Sequence, residues 1–228
     1  MSLNPEPIHR HIEGAPGALL LHLCDEHEAG TLNRLIDSLK ALSGGLGFAY
    51  AAVQVTDWND DLSPWPAEPV FGREGFGGHA GQTLDAIHGA VLPALSGWLR
   101  GEGFPDALPV CVGGYSLAGL FALWARYESD RFAAVCAASP SVWFPGWDAY
   151  ADARPCPMGP AYLSLGLKEP KTRNARMATV GDAIKRQHAR FEAAQAPSIL
   201  EWNEGNHFTD PEKRMAAGFA WALKQLSH

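Results

Sequence analysis

Val110-Cys111-Val112-Gly113-Gly114-Tyr115-Ser116-Leu117-Ala118-Gly119-Leu120 is an apolar run that meets a serine set among small residues and then continues with helical spacing. A serine on the sharp turn between a buried strand and a helix stands with its hydroxyl exposed at the sheet edge. Such a turn crowds the backbone two residues before and two after the serine, so both positions must be small. Gly114 and Ala118 meet that demand, with Ala118 in place of the second glycine of the G-x-S-x-G pattern. Glycine makes up 24 of the 228 residues, so the pattern arises readily by chance and its surroundings must decide.

Outward from this turn, short apolar runs alternate with segments of helical period. Strands are predicted over 18–23, 48–55, 108–112, 132–137, 161–165 and 198–202, with a weaker edge strand over 8–12. Leu32, Leu35, Ile36, Leu39 and Leu42 mark one amphipathic helix, Leu84, Ile87, Val91, Leu95 and Trp98 a second, and Met177, Val180, Ile184 and Phe191 a third. Asp210-Pro211 reads as the N-cap and first residue of a final helix that turns Met215, Phe219, Leu223 and Leu226 inward. This alternation predicts an α/β fold, a mostly parallel central sheet with helices on both faces. The turn at 114–119 then falls between a buried strand and a helix over 117–127. The length suits one domain, 1–228, with no cap domain inserted between the strands. The least regular region, 57–81, is rich in Pro, Gly and Trp and too long for an idle connection, so it is expected to line a site.

Hydrophobic residues make up 46% and charged residues 19%, with eight Trp and ten Phe, the balance of a well-packed globular chain. A net charge of −7 without any block of Lys and Arg argues against nucleic acid or an anionic membrane surface as partner. Small neutral or hydrophobic molecules fit better. Cys24, Cys111, Cys136 and Cys156 show no C-x-x-C spacing and read as reduced thiols, with no metal and no cofactor expected. The opening Met-Ser-Leu-Asn-Pro-Glu-Pro holds no basic stretch followed by an apolar one, and no segment reaches the length of a membrane span. The cytoplasm is the expected location.

A serine hydroxyl attacks an acyl carbon poorly unless a base removes its proton and an acid orients that base. In a sheet of this kind the three follow in the order serine, acid, histidine, each after a strand. Only His188 and His207 lie between Ser116 and the C-terminal residue. His188 falls within a helix, whereas His207, in Glu204-Gly205-Asn206-His207-Phe208-Thr209, follows the last strand and precedes the final helix. For the acid, Glu169 sits just beyond the strand Tyr162-Leu163-Ser164-Leu165 and is preferred. Asp148, Asp152, Asp182 and Glu204 remain alternatives, and a surface pairing of Glu169 with Lys171 or Arg173 is the competing reading.

The oxyanion of a tetrahedral intermediate needs preorganised backbone N–H groups. Leu117, after the serine, is one expected donor. The second should come from the loop after the strand over 18–23, where Cys24 and Asp25 are the candidates; Asp25 would have to turn its carboxylate away. Trp58, Trp65, Phe71, Phe76, Trp143 and Phe144 either form an apolar pocket for substrate or cover the sheet end and pack the core. Trp58, Trp65, Trp143 and Phe144 are carried forward as candidate substrate contacts.

Gly113-Gly114-Tyr115-Ser116-Leu117-Ala118-Gly119, Ala138-Ser139-Pro140-Ser141-Val142-Trp143-Phe144, Leu163-Ser164-Leu165-Gly166 and Gly205-Asn206-His207-Phe208 together resemble the α/β-hydrolase superfamily. More narrowly, they resemble the esterase family that includes esterase D-like enzymes and the siderophore esterases. The likeness runs from about residue 18 onward. It implies an α/β-hydrolase fold and a serine esterase acting on small carboxylic esters, with Ser116 as nucleophile, His207 as base and Glu169 as acid. An acyltransferase or thioesterase with the same residues, or a binding protein that keeps the fold without turnover, are the alternatives. Siderophore esterases bind anionic catecholates, and the absence of Lys or Arg between Lys40 and Arg73 argues against that branch.

Overall fold

The structure is a computed structural model and describes residues 6–70 and 72–227. Residues 1–5, which bear on the reading of a leader, residue 228, and Phe71 among the loop aromatics lie outside the described residues.

The strands are β1 (His9–Glu13), β2 (Leu19–Cys24), β3 (Phe48–Gln54), β4 (Pro66–Ala67), β5 (Phe76–Gly77), β6 (Val110–Tyr115), β7 (Ala134–Ala138), β8 (Ala161–Gly166) and β9 (Ser198–Asn203). Seven of them form one sheet in the order β1-β3-β2-β6-β7-β8-β9. Within this sheet, among the described residues, only the β1–β3 pair is antiparallel. β4 and β5 form a separate two-residue ribbon, so the irregular region around 57–81 folds back on itself beside the short helix Trp58–Leu62. β2, β7 and β8 are buried throughout, as mainly apolar strands covered on both faces should be.

Both faces are covered. On one lie Leu32–Leu42 and Pro211–Leu226, which close the core around Leu20, Tyr50, Cys136, Tyr162 and Phe219. On the other lie Leu92–Gly101, Leu117–Glu128 and Val180–Ala193, around Leu21, Val53, Val112, Phe121 and Leu163. Leu117–Glu128 is buried from Leu117 through Arg126, as its nearly uninterrupted apolar sequence requires.

Three details differ from the sequence expectations. β6 begins two residues later and runs on through Gly113 and Gly114 to Tyr115. Glycine here is no breaker: a Cβ on Gly113 would stand 2.7 Å from the Phe219 ring, so the strand needs Gly113 to let the last helix approach. The second helix is interrupted by a π-turn at Ile87–Val91, just before Pro93, which has no N–H to return to the preceding turn. Asp210 does precede the final helix, but its backbone is left-handed (φ 51°) and its side chain caps nothing; it pairs instead with Lys213 at 3.1 Å.

The direction of strand addition reverses between β2 and β6: the chain steps from β2 to β3 on one side and then from β6 through β7 and β8 to β9 on the other. The crevice beyond the carboxyl ends of strands at such a switch point is where ligands bind in open α/β sheets. Ser116 follows β6 there. Leu23 pairs with Gly114, which brings Asp25 to the height of Ser116.

Candidate active site

Ser116 occupies a conformation that L-residues avoid, φ 57° and ψ −119°. Three backbone bonds hold it: its N–H donates to Ala138 O (3.1 Å), and its carbonyl accepts from Leu120 (3.1 Å) and Ser141 (3.0 Å). Strain kept in place by its surroundings is typical of functional positions. The turn also explains Ala118. A Cβ on Gly114 would lie 2.5 Å from the Ala118 Cβ, so the methyl of Ala118 fills the room that Gly114 leaves.

His207 Nε2 lies 3.1 Å from Ser116 Oγ, and His207 Nδ1 lies 2.8 Å from Glu169 Oε2. Ser141 Oγ is 3.5 Å from the same hydroxyl. The loops that bring these groups together are continuations of β8 and β9, since Leu167 N–H donates to Asn203 O and Lys168 N–H to Gly205 O, both at 2.9 Å. Asn206 Oδ1 accepts the Phe208 N–H at 2.9 Å, an Asx turn that aims His207 back over the sheet.

Glu169 is buried, and its second oxygen is saturated. Oε1 accepts from Gly166 N–H (2.7 Å), Ser139 Oγ (2.8 Å) and Arg214 Nη1 (3.0 Å). Burial pushes the carboxyl up, but the bonds from His207, Gly166 and Ser139 together outweigh it and hold it below the usual carboxylate value. Arg214, only 3% exposed, also donates to Tyr115 Oη (3.0 Å), Ser139 Oγ (2.9 Å), Glu204 O (3.1 Å) and Asn206 O (2.9 Å). Burial pushes the Tyr115 hydroxyl up to about 12, which keeps it a donor to His207 O at 2.7 Å.

The other carboxylates considered for the acid are engaged elsewhere or exposed. Asp148 pairs with Arg186 and Arg190, Asp152 with Arg190, and Asp182 faces Lys185; the Glu204 side chain is exposed, and only its carbonyl reaches Arg214. Glu169 pairs with neither Lys171 nor Arg173 but with His207 and Arg214.

Leu117 opens its helix, so its N–H is among those a helix leaves without an internal acceptor. Asp25 caps the short helix Glu26–Ala29: its carboxylate accepts the Glu28 N–H at 2.7 Å, and its own N–H points at Glu28 Oε2 at 3.4 Å. The Asp25 carboxylate is thereby occupied, and its N–H bond is long. Cys24, the other candidate, is buried in β2.

The cavity at Ser116 has a volume of about 470 Å³ and is lined by Trp143, Lys168, Glu169, Lys171, Thr172, Met177, Val180, Asn206, His207 and Phe208. Of the four aromatic candidates, only Trp143 is on its walls. Phe144 is buried against Phe76 and Trp65, and Trp65 donates to Pro145 O at 2.7 Å and packs on Tyr150. Both lock the loop after β7, because rings this close to one another gain more by packing together than by facing water. Trp58 borders a separate cleft with Asp25 and Gln54. The wall is supplied instead by residues 168–180 and by Phe208, which is 84% exposed. Lys168 and Lys171 are exposed there. Among the described residues no His, Cys, Asp and Glu group could hold a metal ion, and no helix is long and apolar enough to cross a membrane.

Arg214, Ser139 and the 168–180 wall escaped the sequence reading. A signal for Arg214 existed: it stands on the buried side of the last helix, one residue before Met215 and four before Gly218. A charged residue on that stripe must have partners.

No protein-family model matches the chain, and no curated protein matches it. Solved structures do. The siderophore hydrolase EstA from Aspergillus nidulans is similar with a TM-score of 0.69 at 18% identity, over 92% of this chain and 83% of its own. An IroE-like serine hydrolase from Shewanella oneidensis gives 0.72 at 16% identity, over 94% of this chain and 75% of its own. The enterobactin hydrolase IroE, in complex with DFP, gives 0.63 at 20% identity, over 96% and 89%. Identities this low establish the fold, an α/β-hydrolase fold, and no more.

Proposed function

We propose that this protein is a serine hydrolase of small carboxylic esters that works through an acyl-enzyme on Ser116, with His207 as base and Glu169 as acid. The observation that carries this reading is the unbroken hydrogen-bonded line from Ser116 Oγ through the His207 ring to Glu169, opening on a cavity. An ionised carboxylate can only accept, so the His207 proton sits on Nδ1, and Nε2 is free to take a proton from the Ser116 hydroxyl. Attack of Oγ on the ester carbon then passes that proton to Nε2. The oxyanion meets the N–H groups of Leu117 and Asp25, the latter once a charge strong enough to compete with Glu28 develops. His207 returns the proton to the departing alcohol as the C–O bond breaks. Water, deprotonated by the same nitrogen, attacks the acyl carbon; Oγ recovers the proton, and the acid leaves.

The cavity wall also supports a substrate class. Lys168 and Lys171 line the same cavity as Ser116 and form no salt bridge among the described residues, while Trp143, Met177, Val180 and Phe208 supply apolar surface. That combination favours esters whose apolar body carries a negative group. No described residue between 41 and 72 lines this cavity, so the scarcity of cations there does not set its charge. The names of the structural relatives, siderophore hydrolase and enterobactin hydrolase, agree with the esterase reading. Four free thiols, three of them buried, support work in a reducing compartment such as the cytoplasm.

Hydrolysis of short p-nitrophenyl esters and labelling of Ser116 by a fluorophosphonate probe test the proposal. Both should be present in the wild type and absent in Ser116→Ala; a folded wild type that does neither is a binding protein on this fold. Product analysis with competing alcohols separates hydrolysis from acyl transfer.

A further inference from the structure

We infer that Arg214 is a positioning residue that sets the Glu169–His207 pair and the loop bearing His207 in register with the Ser116 turn; this rests on the hydrolytic reading above. Its guanidinium reaches parts of the site that come from different places in the chain. Nη1 donates to Glu169 Oε1, to Ser139 Oγ after β7 and to Tyr115 Oη at the end of β6, while Nη2 donates to Glu204 O and Asn206 O in the loop after β9. Tyr115 passes the connection on to His207 O. One rigid planar fork thus ties the residue before the serine, the acid and the carbonyl framework of the histidine loop to the last helix. A lysine ammonium, a point donor on a flexible stem, cannot span these directions.

The contact with Glu169 has a chemical consequence as well as a geometric one. Bonded on Oε1 by Arg214, the carboxylate is fixed with Oε2 toward His207 and cannot rotate away. The positive charge also offsets part of the carboxylate field acting on the His207 ring. The other titratable or charged groups facing the pair are Tyr115 beneath the ring, Lys168 and Lys171 on the cavity wall, and the exposed Glu204 in the histidine loop.

The experiment compares wild type, Arg214→Gln and Arg214→Lys for fold by circular dichroism and thermal melting, then for kcat, KM and the pH profile of kcat/KM on a p-nitrophenyl ester. If the wild type hydrolyses no ester and Ser116 takes no fluorophosphonate, the hydrolytic reading fails, whatever the variants do. With an active wild type, Arg214→Gln should lower kcat by about 10- to 100-fold with KM within about threefold. The acid limb of its profile should move to higher pH, because the buried positive charge nearest Glu169 no longer offsets the carboxylate that faces the imidazolium. Arg214→Lys keeps the charge, so it should lower kcat about tenfold while leaving that limb in place. A folded Arg214→Gln with wild-type kcat and an unmoved acid limb overturns the inference. Should Arg214→Gln not fold, Arg214→Lys decides: a fall in kcat at constant KM supports it, and wild-type kcat overturns it.

Discussion

The two ends of the His207 ring face unlike surroundings. At Nδ1, Glu169 is buried and both its oxygens are committed, with Gly166, Ser139 and Arg214 on one and the histidine on the other. At Nε2, the ring opens past Ser116 into a cavity whose wall includes exposed cations and an exposed phenyl ring. A saturated buried network resists rearrangement, since any group released from it loses a bond that water cannot replace. Side chains in solvent make no such demand. The comparison teaches that the Glu169 end of the line is built to stay fixed, whereas the cavity wall can change its chemistry at little cost to the fold.

The largest effect should come from cutting the line where the two ends meet. Ser116→Ala is expected to lower kcat by about 10⁴-fold or more on p-nitrophenyl acetate, with the thermal midpoint nearly unchanged, because the hydroxyl lies at the cavity and its bonds to His207 and Ser141 are only partly buried. A Ser116→Ala variant retaining a tenth of the activity would remove the serine from the chemistry.

Within the fixed end, Glu169→Gln should lower kcat by about 10²- to 10⁴-fold, since an amide can donate to His207 and favour the wrong tautomer. It should also cost stability at neutral pH. Glu169 is held below its usual value, so the stability it contributes is present above that value and is lost as pH falls through the lower folded one. Denaturant unfolding of the two proteins at a series of pH values should show the gap between them closing below about pH 4.5, the usual Glu value. A gap independent of pH would mean that the carboxylate charge contributes nothing to folding.

At the open end the effects should be smaller and confined to substrate preference. Lys168→Glu with Lys171→Glu should raise KM about tenfold for an ester bearing a carboxylate and leave a neutral ester of the same size within about twofold, with the difference shrinking as salt is added. Equal effects on both substrates would deny the wall a role in charge selection. Smallest of all, Phe208→Ala should raise KM by about two- to fivefold for aromatic esters alone, read from paired phenyl and ethyl substrates, since one partly exposed ring contact is worth about 1 kcal/mol.

Much of the frame was legible in the chain. The six parallel strands and the main helices stand close to where their periodicity put them, and Ser116, Glu169 and His207 sit side by side. The misreadings share a cause. The strand predicted over 108–112 stops short of Gly113, whereas β6 runs through it, because the Phe219 ring from the last helix leaves no room there for a side chain. Trp65 and Phe144 resemble substrate contacts by composition, but they find each other and leave the cavity to Met177, Val180 and Phe208.

The sequence by itself determined the alternation of strand and helix, the small-residue turn at Ser116 and the place of His207 after the last strand, because periodicity and steric crowding act over a few neighbouring residues. Only the tertiary structure decided which carboxylate meets His207, that Arg214 lies beneath them and that residues 168–180 wall the cavity. Those are contacts between groups 38 and 45 residues apart along the chain. They exist because the carboxyl ends of β6, β8 and β9 converge on one edge of a parallel sheet, a fact that no local pattern contains.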